Sequence, residues 1–248
     1  MLPKKSDTLW IELDTVESTN NYAMALVHEG VAQHGMVVYA HHQSKGKGQR
    51  GKQWETIPGA NLSFSILIQP HSLLPSQSFQ LLSVTALAIR KQLEKSIGEE
   101  TKIKWPNDLY WRDRKTGGLL IENVFRGTQW QWAIIGIGVN VNQTAFSNLN
   151  NAVSMKQITG KNFDIPELAR DIYKELMQDV DMLNKNGFPD FLKLYNQQLY
   201  GLNKTVRLKK AVRSFETIIK GVNEQGQLVT GVDIEECFDF GEVDWIIV

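Results

Sequence analysis

The alternation of apolar and polar residues before Gly201 predicts a mixture of strands and helices. Short apolar or alternating runs are typical of strands, whereas apolar residues that recur every three or four positions are typical of amphipathic helices. On this basis we predict strands at LWIEL, MVVYA, GANLSFSILI, TKIKW, GGLLIENVF and QWAIIGIGVNV. We predict helices from Ser18 or Thr19 to Gly30 and at residues 78–95, 165–183 and 189–199, with a polar loop at 144–161.

The pattern changes after Gly201, where short alternating strands follow one another closely. The segments TVRL, ETIIKGV, GQLVTGV, CFDF and VDWII are punctuated by turn-forming residues at Asn223–Gly226 and at Gly231. Such a series of short strands is typical of a small β-barrel. We therefore predict an α+β fold, with a mixed-sheet domain at residues 1–200 and a β-barrel domain at residues 201–248.

Composition and charge narrow the class of protein. The 248 residues are 42% hydrophobic and 22% charged with a formal net charge of zero, so no general attraction to nucleic acid or membranes is expected. The single cysteine, Cys237, excludes an intramolecular disulfide and fits a reducing cytoplasm. The segment MLPKKSDTLW lacks the apolar core of a signal peptide, and no run approaches the roughly 20 apolar residues that cross a bilayer. We therefore expect a cytoplasmic protein with no membrane partner.

The segment Gln43–Trp54, QSKGKGQRGKQW, combines three glycines with four cationic side chains and no acid, and we call it the glycine-rich loop. It matches the dinucleotide motif G-x-G-x-x-G, and only Gln53 separates it from the P-loop motif G-x-x-x-x-G-K-[ST]. Both motifs require a helix directly after the glycines, but here Pro58 and Gly59 lead into a predicted strand. Both matches are therefore coincidental. Two interpretations stay open, a flexible loop that folds over a phosphate and a solvated surface loop.

Four further motifs place polar side chains or glycines at the ends of, or inside, predicted elements. Ser18–Asn20 supplies two hydroxyls and an amide at a helix start, and Lys104–Asp108 (KWPND) places an ammonium beside a rigid turn. The glycines of Gly117–Glu122 (GGLLIE) and Gly136–Asn142 (GIGVNVN) suggest that a ligand or a neighbouring backbone approaches these strands closely. Each motif alone is better explained by a structural role, such as a helix cap, a turn or a solvent-exposed lysine.

Taken together, in this order and at these spacings, the five motifs resemble those of the biotin protein ligase family. The resemblance runs from about Leu9 into the C-terminal strands. It implies a catalytic domain like that of class II aminoacyl-tRNA synthetases, followed by an SH3-like barrel. It also implies a reaction in two steps. Biotin and ATP form biotinoyl-5′-AMP with release of pyrophosphate, and this mixed anhydride then acylates one lysine of a biotin carboxyl-carrier protein.

The resemblance also assigns residues to these steps. Because a carboxylate and an α-phosphate repel each other, cations must neutralise them as they approach, and Lys104 and Arg50 are the expected catalytic residues. Mg²⁺ would be carried on the ATP phosphates, with no metal ligand from the protein. The implied biotin-binding residues are Ser18, Thr19, Asn20, Gln43, Gly46, Lys47, Gly48, Gln49, Lys104, Gly118 and Leu119. The implied residues for ATP and the adenylate are Lys47, Arg50, Trp54, Asn107 and Asn140.

The glycine-rich loop departs from the family pattern, which usually reads G-R-G-R-R-G-R. Here Lys47 and Lys52 stand for arginines, and Gln49 removes one positive charge. Lysine is a point charge without the bidentate geometry of arginine. We therefore hypothesise that this enzyme holds biotinoyl-AMP less tightly than an all-arginine loop would.

Some family members carry an N-terminal helix-turn-helix domain and act as repressors. Since the motifs here begin at Glu17, we expect the monofunctional form and no DNA binding. A homodimer formed between sheets is compatible with the resemblance. The sequence does not identify the carboxylase whose carrier is modified.

Two alternatives compete with this function, and the second belongs to another class of protein. A lipoate ligase or octanoyl transferase shares the expected fold, but those proteins lack the loop and KWPND in this form. A non-catalytic biotin sensor or nucleic-acid-binding protein would have no need of Lys104. An ATP–pyrophosphate exchange assay that compares biotin with lipoate distinguishes a biotin ligase from a lipoate ligase or octanoyl transferase. The variant Lys104→Ala distinguishes an enzyme from a protein that only binds its ligand.

Overall fold

A seven-stranded mixed sheet forms the centre of the molecule. The structure is a computed structural model that describes residues 9–146, 151–186, 188–232 and 234–246. The strands are β1 (Trp10–Val16), β2 (Val37–Gln43), β3 (Leu62–Ile68), β4 (Thr101–Lys104), β5 (Asp108–Trp111), β6 (Arg114–Arg126) and β7 (Gln129–Val139). Their order is β1-β2-β3-β7-β6-β5-β4. Only β1 and β2 run parallel, and the other neighbouring pairs are antiparallel, which confirms the predicted mixed sheet.

Helices cover both faces of this sheet. They are α1 (Thr19–His28), α2 (Ser78–Ile97), α3 (Met155–Thr159), α4 (Ile165–Asn186) and α5 (Pro189–Gln197). On one face Ala23 of α1 packs with Leu67 and Ile134, and on the other Phe64 and Ile66 pack with the apolar sides of α2, α4 and α5. Because successive side chains of a strand point to opposite faces, β3 is buried at every position.

A second, smaller sheet follows the helices. Its strands are β8 (Thr205–Lys210), β9 (Arg213–Val222), β10 (Leu228–Gly231), β11 (Glu235–Phe238) and β12 (Asp244–Ile246). All five correspond to predicted strands, and they pair in the order β11-β10-β9-β8-β12. Within the described residues no ladder joins the two outer strands, so a closed barrel is not confirmed. The small sheet contacts the rest of the molecule through the Trp105 indole N–H, which donates to the carbonyl of Gly226 at 2.9 Å.

Two short elements, β5 and α3, were not predicted from the sequence. The four residues of β5 begin at Asp108, the last residue of KWPND, and are too few to show a period. The helix α3 lies in the segment predicted as a loop, where Ser154 and Gln157 form a capping box with two 3.1 Å hydrogen bonds.

Several sequence predictions fall on residues 1–8, 147–150 and 247, which lie outside the described residues. They are the missing signal-peptide core, the middle of the polar loop and the end of the last strand. Among the described residues, no helix combines the length and apolar character that a membrane span requires.

Candidate functional site

One open cavity of about 1100 Å³ lies where the glycine-rich loop, the large sheet and the small sheet meet. Every residue to which the sequence assigned a site role lines this cavity, except Gly46. The five motifs, which are far apart in the sequence, therefore meet at one place. The loop cations and Lys104 share the same cavity, as the sequence interpretation requires.

The glycine-rich loop folds as a small hairpin beside the cavity. An antiparallel bridge joins Lys47 to Gln53, and the backbone N–H of Trp54 donates to the carbonyl of Gly46 at 2.9 Å. A Cβ atom on Gly46 would overlap the Trp54 carbonyl, so glycine is needed where the hairpin closes. The tip is a single 3-10 turn at Gln49–Gly51, and the next regular element is β3. The dinucleotide and P-loop interpretations are excluded because no helix begins at the last glycine.

Two loop cations are held by carboxylates from elsewhere in the chain. Lys47 Nζ lies 3.1 Å from Glu122 Oε1 of β6, and Arg50 Nη1 lies 3.5 Å from Asp244 Oδ1 of β12. Both cationic side chains are more than 40% exposed, and exposed pairs of this kind contribute roughly 0–1 kcal/mol each. The loop can therefore exchange these partners for an anionic ligand at little cost.

One end of the cavity is lined by neutral polar side chains at the start of α1. Ser18 is the N-cap residue of α1, but its side chain makes no capping hydrogen bond. The backbone N–H of Thr19 donates to Gln43 Oε1 at 2.7 Å. A Cβ atom on Gly136 would overlap the side-chain oxygen of Asn20, so a side chain, and not the predicted ligand or backbone, approaches this strand closely here. These groups form a site that suits a small neutral ligand group with donors and acceptors.

Lys104 reaches the cavity from the end of β4. Its Nζ donates to Tyr110 Oη at 3.4 Å and lies 5.6 Å from the centre of the Trp245 ring. Burial lowers the pKa of Lys104 to about 8, an effect that Asp108 opposes and that the nearby charge of Lys115 reinforces. Because the Lys104 ammonium is poorly solvated, an anion that binds in the cavity stabilises its charged form.

A second lysine, Lys115, lies in the same cavity and was missed by the sequence interpretation. Its Nζ is 2.6 Å from Asp108 Oδ1 and 5.7 Å from the centre of the Trp54 ring. A Cβ atom on Gly118 would lie 3.4 Å from this Nζ, so the ammonium sits directly over the glycine pair of β6. The cavity therefore has two fixed cations, Lys104 and Lys115.

The two asparagines assigned to the adenylate also support the backbone. Asn107 Nδ2 donates to the carbonyl of Leu119 at 2.6 Å, and the Leu119 N–H donates back to the carbonyl of Asn107 at 3.0 Å. Asn140 Nδ2 donates to the carbonyl of Lys115 at 3.3 Å. Both side chains line the cavity while they fix the position of β6.

The small sheet supplies a wall that the sequence did not predict. Phe240 contacts Trp105 edge to face at a centroid distance of 6.2 Å, and Asp244 and Trp245 line the cavity beside it. The indole Nε1 atoms of Trp54 and Trp245 are buried and have no hydrogen-bond partner in the described parts of the chain. Buried donors without partners are costly. Within residues 9–146, 151–186, 188–232 and 234–246, no group of three or more His, Cys, Asp or Glu side chains is arranged to hold a metal ion.

Known proteins resemble this chain over most of its length. The family model for the biotin/lipoate A/B protein ligase family matches residues 12–140, more than half of the chain. The bifunctional ligase/repressor BirA of Escherichia coli is 28% identical over 223 residues, which cover 89% of this chain and 68% of that protein. The biotin–[acetyl-CoA-carboxylase] ligase of Mycobacterium tuberculosis is 26% identical over 231 residues, which cover 90% of this chain and 84% of that protein. The structure of biotin protein ligase from Aquifex aeolicus in complex with biotin and ATP superimposes with a TM-score of 0.82 at 25% identity, covering 98% of this chain and all of that one.

Proposed function

The chain belongs to the biotin/lipoate A/B protein ligase family, and we propose that it is a ligase that attaches biotin to one lysine of a biotin carboxyl-carrier protein at the expense of ATP. Two of the relatives named above are biotin ligases by name, and one of these is described with both biotin and ATP bound. The observation that carries the proposal is the meeting of the glycine-rich loop, Lys104 and Lys115 around one cavity that also has a neutral polar end.

The two ends of the cavity suit the two parts of biotinoyl-AMP. We assign the neutral end at Ser18, Thr19, Asn20 and Gln43 to the ureido ring of biotin. The segment Gly46–Gln49 and the backbone of Gly118 and Leu119 would then flank its valeryl chain and carboxylate. Trp54, Asn107, Asn140 and Arg50 would take the adenosine and phosphate side. Trp54 supports this division, because its ring lines the cavity beside the ammonium of Lys115, whose Nζ lies 5.7 Å from the ring centre.

Adenylation requires a carboxylate to approach an α-phosphate against electrostatic repulsion. Lys104 and Lys115 present two ammonium groups to the cavity. Lys104 is largely buried, and a charge shielded from water stabilises a transition state more strongly than one in solution. Lys115 lies over Gly118, so it is placed for the carboxylate, while Lys104 lies among aromatic rings beside it. Mg²⁺ would arrive on the ATP phosphates and reduce their charge further. Pyrophosphate then leaves with the electron pair of the broken anhydride bond.

In the second step the neutral amine of a carrier lysine attacks the biotinoyl carbonyl, and AMP leaves with the C–O bond electrons. No nucleophile from the enzyme is required. The mixed anhydride hydrolyses in open water, which gives the glycine-rich loop a reason to close over it. Gln49 reduces the positive charge of this loop, so we expect biotinoyl-AMP to be held less tightly, and released faster, than by an all-arginine loop.

Further proposals concern the domains of the protein, its location, its oligomeric state and DNA binding. We propose that residues 1–200 form the catalytic domain and that residues 201–248 form an SH3-like domain whose wall completes the nucleotide side of the cavity. We also propose that the protein works in the cytoplasm and forms a homodimer through its sheets. The zero net charge supports the absence of DNA binding, and a gel shift with sequence-specific binding at physiological salt would contradict this point.

The test of the function is mass spectrometry of a carrier domain after incubation with the protein, biotin and Mg·ATP. We expect the mass to increase by one biotinoyl group, at a single lysine, and only when ATP is present. Replacement of biotin by lipoate in the same reaction tests the other branch of the family. Transfer of lipoate without transfer of biotin would contradict the proposal.

A further inference from the structure

A chain of polar side chains lies behind the neutral end of the cavity, and two of its members do not line the cavity at all. Ser65 of β3 is fully buried, and its Oγ lies 2.7 Å from Thr19 Oγ1 and 2.6 Å from Asn20 Oδ1. Asn20 Nδ2 in turn donates to Glu122 Oε2 at 2.8 Å. We call Thr19, Ser65, Asn20 and Glu122 the hydrogen-bond chain.

The direction of each hydrogen bond in this chain follows from the chemistry of the groups. The amide nitrogen of Asn20 faces the Glu122 carboxylate and, at 3.5 Å, the carbonyl of Leu120. Both of these groups only accept, so the orientation of the amide is fixed and Asn20 Oδ1 must accept from Ser65. The single hydroxyl hydrogen of Ser65 is then used, and the hydrogen between Ser65 and Thr19 must come from Thr19.

This direction leaves the Thr19 oxygen as an acceptor. Gln43 Oε1 already accepts the backbone N–H of Thr19 at 2.7 Å and does not depend on the Thr19 hydroxyl, which is 3.1 Å away. The lone pairs of Thr19 Oγ1 are therefore available to a donor in the cavity. The arrangement is rigid because Asn20 packs against Gly136, where even a methyl group would overlap it.

On the basis of the proposed function, we propose that Ser65 and Glu122 are positioning residues that hold the Thr19 hydroxyl as an acceptor and thereby select a ligand ring that presents an N–H group. The ureido ring of biotin carries two N–H groups. The dithiolane ring of lipoate, the acid used by the other branch of this family, carries none. A buried acceptor that a ligand leaves unpaired costs binding free energy, so the hydrogen-bond chain discriminates between the two acids.

The variant Ser65→Ala tests the proposal, with Ser63→Ala as a matched control. Ser63 is on the same strand and side as Ser65, is equally buried, and its hydroxyl has no partner in the described parts of the chain. Biotin-dependent ATP–pyrophosphate exchange is measured for both. We expect Ser65→Ala to raise the KM for biotin about tenfold, the factor for one lost buried hydrogen bond. Its KM for ATP and its kcat should stay unchanged, and Ser63→Ala should match the wild type in all three constants.

Variants of Glu122 keep the test decisive if Ser65→Ala fails to fold, because this side chain is 28% exposed, whereas Ser65 is fully buried. Glu122→Gln retains an acceptor for Asn20 and should keep the wild-type KM for biotin within about twofold. Glu122→Leu removes the acceptor and should behave like Ser65→Ala.

A biotin analogue with one ureido N–H replaced by a ring oxygen gives an independent readout. The wild type should prefer biotin to this cyclic carbamate, and Ser65→Ala should reduce that preference about tenfold. The proposal would be overturned if the KM for biotin were unchanged in Ser65→Ala and Glu122→Leu. It would also be overturned if the KM for biotin and the KM for ATP rose equally in these variants. A wild-type protein without biotin-dependent exchange would instead contradict the proposed function itself.

Discussion

Lys104 makes the adenylation step dependent on pH above the range in which the biotin carboxylate and the phosphates of Mg·ATP titrate. Burial lowers the pKa of this lysine to about 8. Below that pH the ammonium is present and can neutralise the phosphate, and as the pH rises through 8 the cation is lost. The pH dependence of kcat/KM reports ionisations of the free enzyme, before a bound anion raises this pKa again.

The expected magnitude follows from the fraction of Lys104 that remains protonated. With a pKa of about 8, about one tenth of the molecules carry the ammonium at pH 9, so kcat/KM for biotin should fall about tenfold from its value at pH 7. The assay is biotin-dependent ATP–pyrophosphate exchange, because it isolates adenylation from the amine chemistry of the carrier lysine. Lys104→Met should reduce the rate by roughly 10²–10³-fold, the usual loss for one electrostatic group at a transition state, and should abolish the alkaline decline.

A matched control is available on the same strand. Lys102 also has a pKa lowered by burial, but its Nζ donates to Gln198 Oε1 at 3.0 Å and does not line the cavity. Lys102→Met should therefore keep both the rate and the alkaline decline of the wild type. If the decline persists with the same midpoint in Lys104→Met, another group titrates there and the role given to Lys104 is wrong.

Three further predictions concern the surroundings of the adenylate. Lys115→Met should slow pyrophosphate exchange by at least tenfold, because it removes a cation and leaves Asp108 without the partner that lies at 2.6 Å, and circular dichroism melting checks that the fold is retained. Gly138→Ala would place a methyl group 2.5 Å from the Trp54 ring, so it should weaken ATP affinity while biotin affinity measured by calorimetry changes little. Gln49→Arg should slow the release of biotinoyl-AMP measured by filter binding, and equal release rates in variant and wild type would refute the charge argument.

Local sequence signals predicted most of the fold because the long elements show a period and the short strands of the small sheet are separated by turn-forming residues. The five strands of the small sheet and the four long helices all appear where the pattern indicates them. The predicted closure of the small sheet into a barrel is not confirmed in the described residues, and the local pattern could not decide it, since pairing of the outer strands depends on contacts between distant residues. Alternation in β3 also gave no sign that its serines are buried, because the covering of both faces by helices is a tertiary feature.

The candidate site was predictable where glycine or a rigid turn marks it. The glycines of β7 indicated a close approach, but not that the approaching groups are the side chains of Asn20 and Trp54. Lys115 has charged neighbours on an exposed hairpin, so nothing in the local sequence distinguishes it from a solvent-exposed lysine. Asp244 and Trp245 belong to an acidic C-terminal segment that resembles a solvated surface, and only the docking of the small sheet brings them to the cavity.

The central claim is that the glycine-rich loop and the two fixed lysines form and hold one mixed anhydride. It is tested most directly by incubating the protein with biotin and Mg·ATP in the absence of carrier, removing free ligands and analysing the quenched protein fraction by liquid chromatography and mass spectrometry. The account predicts close to one biotinoyl-AMP per protein molecule, and very little in Lys104→Met and Lys115→Met. Biotin transfer to a carrier without any enzyme-bound adenylate, or full adenylate formation in both lysine variants, would contradict it.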